Sequence, residues 1–457
     1  MDWTGRRPIA FFLAMTNSVR ARRLALSIID GEWTQNALKD RLQRAFSASA
    51  IDCKRLAARL LFLHSQPPRS FKKLARALLD ESLLEPFWQH TGAKDLPGIL
   101  LDPPLMQPPP AHLRCFPLPR LDTSRDVARW LAVHPRQLDW LADVAGTQAN
   151  VIEPKVHHYR YRWVNKRSGG QRLIEIPKSQ LKAIQRQILS DILNRVLPHD
   201  NAHGFVQSRS CMSYVKSHVG QATLLHLDLK NFFHSVPINK VFALFHTLGY
   251  PPNVSRILMG LCSHVVSASL AGRPFAGQPW QHRKQLQLPH LPQGAPTSGA
   301  LANFCAYRLD CRLTGLADHH GLNYSRYADD LVFSGPASLR KQAEWMESVV
   351  GSIALEEGFC LNHRKTRVKS QSQSQRITGL VINDKINISR ADYDQLKAIL
   401  YNCQRHGSLS QNRDNHPDFR AYLAGKIAYV RHTNVARGEK LQQLFNAIDW
   451  QQSAPSH

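Results

Sequence analysis

The sequence predicts an α+β chain: a mostly helical N-terminal extension over residues 1–150, a mixed body of strands and helices, and a helical C-terminal part. Three observations carry this. Apolar residues recur at helical spacing up to about residue 87. From residue 151 the pattern switches repeatedly between the two-residue period of strands and the longer period of helices. Beyond residue 390 it is helical again. A length of 457 residues allows roughly two to four domains, and 43% apolar residues let each bury a core. Disorder throughout and a small disulfide-stapled scaffold are both excluded.

Residues 17–87 read as helices. Val19, Leu24, Leu26 and Ile28 open the pattern, and Leu56, Leu60, Leu61 and Leu63 continue it, with Arg55, Arg59, Lys72, Lys73 and Arg76 between them. The stretch 97–120 holds Pro97, Pro103, Pro104, Pro108, Pro109, Pro110, Pro117 and Pro119. That density prevents helix and denies a central strand its donors, so it reads as a linker or an extended strap. Val127, Trp130, Leu131, Leu138, Trp140 and Leu141 mark a short helical unit, and the first boundary is placed near residue 150. Tyr159 to Val164 alternates apolar and basic as a strand. Lys166 to Gly170 is a turn in which Gly169 and Gly170 supply positive φ, and Leu173 to Ile176 is the returning strand, stopped by Pro177. Leu181, Ile184, Ile188, Leu189, Ile192 and Leu193 make one face of a helix over 179–197. Residues 281–290 read as a polar, basic insertion, the Ser/Gln run 370–375 as an exposed turn, and 391–448 as helical.

Lys and Arg number 59 against 34 Asp and Glu, a formal net charge of +25. That is too basic for a typical metabolic enzyme and implies a polyanionic partner, nucleic acid ahead of an anionic membrane. No apolar run is long enough to span a bilayer. Arg6 and Arg7 precede an apolar run, Pro8 to Met15, with the outline of a very short signal peptide. Arg20, Arg22 and Arg23 follow closely, and a leading helix of a soluble domain is the better reading. The eight cysteines form no CxxC pair and no zinc spacing, which suits reduced thiols and the cytoplasm.

Two segments carry the chemistry. In Leu224 to Phe233, Leu225, Leu227 and Leu229 alternate with His226, Asp228 and Lys230, placing an acid at a strand end ahead of an aromatic pair. In Tyr324 to Phe333, Asp329 and Asp330 sit between two strand-like runs, as at the tip of a hairpin. Three acids on neighbouring strands can hold two Mg²⁺ ions about 4 Å apart, activating a 3′-hydroxyl and steadying a leaving pyrophosphate. An isolated Asp-Asp is ordinarily a turn. Here an acid stands about 100 residues upstream in a strand of the same kind, and Leu291-Pro292-Gln293-Gly294-Ala295-Pro296-Thr297-Ser298 lies between them.

In this order these segments resemble a reverse transcriptase, and within that superfamily a bacterial retron enzyme, over roughly residues 155–445. Tyr327-Ala328-Asp329-Asp330 resembles the YxDD of the catalytic palm, Asp228 its first aspartate, and Gln293 to Ser298 the QGxPxS loop. Arg172 to Pro177 and Leu181 to Arg186 resemble the fingers strand and helix, and Ala202-His203-Gly204-Phe205-Val206 the HGF segment. The resemblance implies a right-hand polymerase: fingers over 151–225, palm over 226–385 and a helical thumb over 386–457. It implies Asp228, Asp329 and Asp330 as catalytic metal ligands for two Mg²⁺, with Mn²⁺ as a substitute. Phe233 is then the gate against a 2′-OH and Phe232 a core residue, on the argument that side chains alternate along an extended segment. Lys166 and Arg172 would grip the triphosphate, and Gln293 would sit beside the nascent base pair.

Retron enzymes carry NAxxH and VTG elements linked to recognition of a structured RNA. Here Tyr214 and Val215 replace the Asn and Ala while His218 is kept, and the second element is Ile377-Thr378-Gly379. Tyr422 to Val430 resembles the retron thumb segment, which would set Lys426, Arg431 and Arg437 against the template–primer backbone. The resemblance thus implies His218, Thr378, Gly379, Lys426 and Arg431 as RNA contacts. Its partners are a cognate structured non-coding RNA, a template–primer RNA/DNA hybrid, dNTPs and an effector protein, with no membrane. The expected product is a branched RNA–DNA molecule (msDNA), made in defence against phage. Other bacterial reverse transcriptases (group II intron-like, diversity-generating or abortive-infection type) are the second reading; no maturase or endonuclease part is read beyond the thumb. A non-catalytic RNA-binding scaffold is the third.

Overall fold

The computed structural model describes residues 9–29, 33–46, 51–65, 67–68, 70–89, 105–110, 117–148, 151, 153–166 and 169–450, with backbone alone for 9–16, 270 and 273. Arg6, Arg7, Pro97, Pro103, Pro104 and the tip of the 166–170 turn lie outside the described residues. The chain divides into two compact units, Met1–Met106 and Gln107–His457.

The first unit is helical, with helices Ile9–Ile29, Gln35–Ala45, Cys53–Leu63 and Phe71–Leu79. Asp52 caps the third through Oδ1, accepting from the backbone N–H groups of Lys54 and Arg55, as an N-cap acid should. Leu24, Ile28, Leu38, Leu42, Leu56, Leu60, Leu74 and Leu78 form its core. Val19, Leu26 and Leu63 are exposed, so not every apolar residue of the pattern faces inward.

The described residues between 107 and 148 belong to the second unit, so the division falls well before the boundary expected near residue 150. Gln107 N donates to Gly249 O at 2.8 Å. Helices Ser124–Trp130 and Pro135–Ala142 bury Val127, Leu131, Leu138 and Leu141. They lie against helix Pro252–Cys262 so closely that a Cβ on Gly260 would stand 2.2 Å from Ala142 O. So short a helical pair has too little apolar surface to make a core alone.

Strands β1 (Tyr159–Asn165) and β2 (Gln171–Pro177) form the expected antiparallel hairpin, with Gly169 and Gly170 at φ 85° and 75°. The main sheet has the order β4-β5-β3-β6, from β3 (Thr223–Asp228), β4 (Asn323–Tyr327), β5 (Asp330–Gly335) and β6 (Arg367–Ser370). β3 is a central strand, and Leu224, Leu225 and Leu227 are all buried, so both of its faces are covered. Short strands β7 (Arg376–Ile377), β8 (Leu380–Val381) and β9 (Asn387–Ile388) follow. They share a core with helices Arg390–His406, Phe419–Thr433 and Val435–Asn446 through Ile377, Leu380, Leu400, Ile427 and Leu441.

The 281–290 stretch is less polar in place than in sequence. Helix Trp280–Leu286 buries Leu286 against Leu173 and Phe275, and His290 is 1% exposed. In the Ser/Gln run, residues 371–374 are exposed as expected, but Gln375 is buried. No helix among the described residues is long and apolar enough to cross a membrane.

Candidate active site

β3 ends on Asp228, whose register partner across the antiparallel ladder is Asp330, the first residue of β5. β4 and β5 are joined by Ala328-Asp329 alone, since Tyr327 pairs with Asp330. Ala328 has φ 57°, a left-handed conformation that costs a residue with a Cβ and persists only where the surroundings hold it. Leu229 N donates to Asp329 O at 2.8 Å, tying the turn to the end of β3. The three carboxylates therefore converge at adjacent strand ends. Burial pushes the Asp329 carboxyl up to about 6, and the charges of Asp330 and Asp228 add to the shift.

Three further side chains meet these acids. Lys365 Nζ lies 2.7 Å from Asp228 Oδ2, Asn362 Nδ2 donates to Asp228 Oδ1 at 3.2 Å, and His226 Nε2 lies 3.3 Å from Asp330 Oδ1. Nothing in the sequence marks them: one lysine among 59 basic residues carries no signal, and Lys365 lies in a 3₁₀ turn without apolar period. A hard oxygen set of three carboxylates suits Mg²⁺ or Mn²⁺.

A cavity of about 660 Å³ opens over this corner, and Lys166, Arg172, Phe233 and Gln293 line it together with Asp228 and Asp329. The Lys166 ammonium is shifted below its ordinary value, first by burial and then by the charges of Arg172 and Lys365. Phe233 is half-buried at the cavity, while Phe232 is 4% exposed and stacks on Phe359 at 5.6 Å. Phe232 is thus the core member of the pair, but the expected reason was wrong: Phe232–Ser235 is a helical turn, not an extended segment. Gly294 takes φ 139°, and a Cβ there would stand 2.7 Å from Glu175 O, so the close approach is to the backbone of β2.

The turn rests on a buried scaffold. Arg326, 0% exposed, donates to both oxygens of Asp310, to Asn303 Oδ1 and to Ala328 O. Gly204 packs on the turn from another side, where a Cβ would meet Ala328 N at 2.7 Å. The HGF segment is therefore a packing requirement of the carboxylate turn.

The residues expected to contact RNA do not share the cavity over the carboxylates. His218 is 0% exposed, with Nδ1 2.6 Å from Ser334 Oγ and Nε2 2.6 Å from Ser325 Oγ, and burial pushes it down to about 3. Such a ring braces β4 against β5 and has no surface to offer RNA, which corrects the expectation for it. Thr378 and Gly379 are the β7–β8 turn, with φ 47° and 87°. Lys426 and Arg431 are exposed on helix Phe419–Thr433, and Lys426 and Gly379 line one cavity of about 920 Å³. Arg437 instead donates to Asn387 Oδ1 at 3.1 Å and covers the Tyr393 ring.

A carboxylate-bearing hairpin beside a second acidic strand end, under a basic β-hairpin, is the framework of a polymerase palm and fingers. The family model for reverse transcriptase (RNA-dependent DNA polymerase) matches residues 164–382. The chain is 36% identical to the Retron Mx65 reverse transcriptase of Myxococcus xanthus over 343 residues, 73% of this chain and 74% of that one. It is 31% identical to the Retron Mx162 reverse transcriptase of the same organism, covering 74% of this chain and 70% of that one. It is 34% identical to the Retron Ec86 reverse transcriptase of Escherichia coli, covering 53% of this chain and 69% of that one. The chain belongs to the retron reverse transcriptases. It is an RNA-directed DNA polymerase of retron type, and the intron-like, diversity-generating, abortive-infection and non-catalytic readings fall away.

Proposed function

We propose that the protein copies part of a cognate structured non-coding RNA into DNA, starting from a 2′-OH of that RNA and yielding branched msDNA. The observation that carries this is the single cavity in which Asp228 and Asp329 face Lys166, Arg172, Phe233 and Gln293. Asp228, Asp329 and Asp330 hold the catalytic metal. Two Mg²⁺ ions, or Mn²⁺ in their place, would supply Lewis-acid activation of the priming hydroxyl and neutralise the departing pyrophosphate. Lys166 and Arg172 hold the triphosphate by charge-assisted hydrogen bonds, Phe233 excludes a 2′-OH, and Gln293 flanks the base pair. Lys426 and Arg431 contact phosphates, and Thr378 and Gly379 present the β7–β8 turn to the RNA. Fingers, palm and thumb divide near residues 225 and 385. The setting is cytoplasmic phage defence with an effector protein, in line with the retron family.

The test is to sequence nucleic acids that co-purify with the protein and with Asp329→Asn. The wild type should carry one RNA species joined to DNA. Asp329→Asn should carry the same RNA without DNA, because it removes metal-binding charge and no phosphate contact. Loss of RNA and DNA together would count against the assignment.

A further inference from the structure

We propose that Glu175, His234 and His290 form a binding site for one zinc-class divalent cation, separate from the catalytic carboxylates. The three come from separate elements, and His234 lines the nucleotide cavity: Glu175 from β2, His234 from the turn Phe232–Ser235, and His290 from just ahead of the Gln293 loop. All are buried, at 0%, 9% and 1% exposure. One donor atom from each lies within 4.8 Å of the others.

The spacing fits. His290 Nε2 is 3.0 Å from Glu175 Oε1, and His234 Nε2 is 3.4 Å from Glu175 Oε2. Tetrahedral zinc with bonds of about 2.0–2.1 Å separates its ligand atoms by roughly 3.3 Å. The outer contacts fit as well. His290 Nδ1 lies 2.7 Å from Leu288 O; a carbonyl only accepts, so Nδ1 carries a proton and Nε2 faces the cluster. Gln293 N donates to Glu175 Oε2 at 3.1 Å, orienting the carboxylate. His282 Nε2 stands 3.4 Å from His234 Nδ1.

His234 Nε2 supplies the independent sign of a ligand. It is buried and makes no hydrogen bond, although it is aimed at the carboxylate. A bare ring nitrogen in the interior is costly, and a cation would use it. Glu175 is paired only with histidines among the described residues, with no Lys or Arg to neutralise it. Two imidazoles and one carboxylate are a zinc donor set that leaves a fourth position for water. Mg²⁺, which prefers oxygen ligands, would not compete well here. His234 and His282 line the cavity of about 660 Å³, which provides an entry path. The rival state is a proton: with Nδ1 facing a carbonyl and Nε2 facing a carboxylate, His290 without a cation is an imidazolium. The cation would fasten the β2 strand, the Phe233 turn and the Gln293 loop to one point.

The experiment is elemental analysis of the purified full-length protein, with thermal unfolding before and after addition of zinc chloride to chelator-treated protein. About one zinc per chain is expected, and added zinc should raise the unfolding temperature by ligand linkage. Cobalt(II) in its place should give the visible bands of a tetrahedral site. Asp329→Asn should keep the zinc, while His234→Gln and Glu175→Gln should lose it and the thermal shift. If those two variants fail to fold, the wild-type zinc content and thermal shift decide. Folded wild type that neither contains zinc nor responds to it would overturn the proposal in favour of the proton-held pair. So would zinc retained by both His234→Gln and Glu175→Gln.

Discussion

Arg326 and Asp310 form a bidentate ion pair, Nε to Oδ1 at 2.8 Å and Nη2 to Oδ2 at 2.6 Å, with neither side chain exposed to solvent. The same guanidinium donates to Ala328 O at 3.0 Å, so the pair reaches the strained residue that sets Asp329 in place.

Removing one partner leaves the other charge buried alone. Arg326→Met should therefore destabilise the protein by about 3–5 kcal/mol, as should Asp310→Leu. The double variant should recover much of that loss, because no unpaired charge remains. Denaturant titration of the three proteins checks this; a double variant as unstable as the sum of the singles would contradict it.

The aromatic pair separates into a core residue and a cavity residue. Phe233→Ala should raise incorporation of rNTPs relative to dNTPs with little change in stability. Phe232→Ala, which empties the stack on Phe359, should cost about 3–5 kcal/mol of stability. Single-nucleotide incorporation assays and thermal unfolding read the two effects. A selectivity change confined to Phe232→Ala would reverse the facing.

The raised Asp329 carboxyl makes metal-free stability depend on pH. Its folded-state value of about 6 lies above the ordinary 3.8, so folding favours the protonated acid. The penalty is absent below about 3.8, builds as pH rises from there and is complete above about 6. In the presence of chelator, Asp329→Asn should be more stable than wild type at neutral pH by on the order of 1–3 kcal/mol. The gain should shrink toward pH 4. Equal stability of the two proteins at neutral pH in chelator would show that the carboxyl is not strained.

Much of this architecture was legible because it is written in local patterns. The alternation of Leu225, Leu227 and Leu229 and the glycines of the β1–β2 turn each act within a few residues, and the carboxylates, though about 100 positions apart, each sit in a recognisable local motif. What escaped acts across the chain. His290 meets Glu175 over 115 positions and Lys365 meets Asp228 over 137, and no periodicity records such pairs. His218 misled because its role came from the resemblance to the NAxxH element, and nothing in the sequence records that Ser325 and Ser334 hold the ring inside. The boundary near residue 150 misled because the helical pattern of Val127 to Leu141 continues the texture of the first unit, whereas the division falls inside the proline-rich stretch and those helices pack on helix Pro252–Cys262.

The first unit supports a prediction about RNA binding. Arg22, Arg23, Lys54, Arg55, Lys72, Lys73 and Arg76 are exposed on its helices, while the acids nearby are fewer. A charge run of this kind is often a solvated face with no partner. Here the excess of one sign argues against a balanced ion-pair surface, and the carboxylate site lies wholly within residues 107–457. The unit should add phosphate contacts to the structured part of the partner RNA without entering the chemistry. A chain shortened to residues 107–457 should still extend a generic primer–template. It should bind its own RNA more weakly, and its affinity should fall less steeply with salt. Each lost phosphate contact removes about 0.7–0.9 from the slope of log affinity against log salt, because fewer counterions are released. An unchanged slope would assign the basic helices to a protein partner instead.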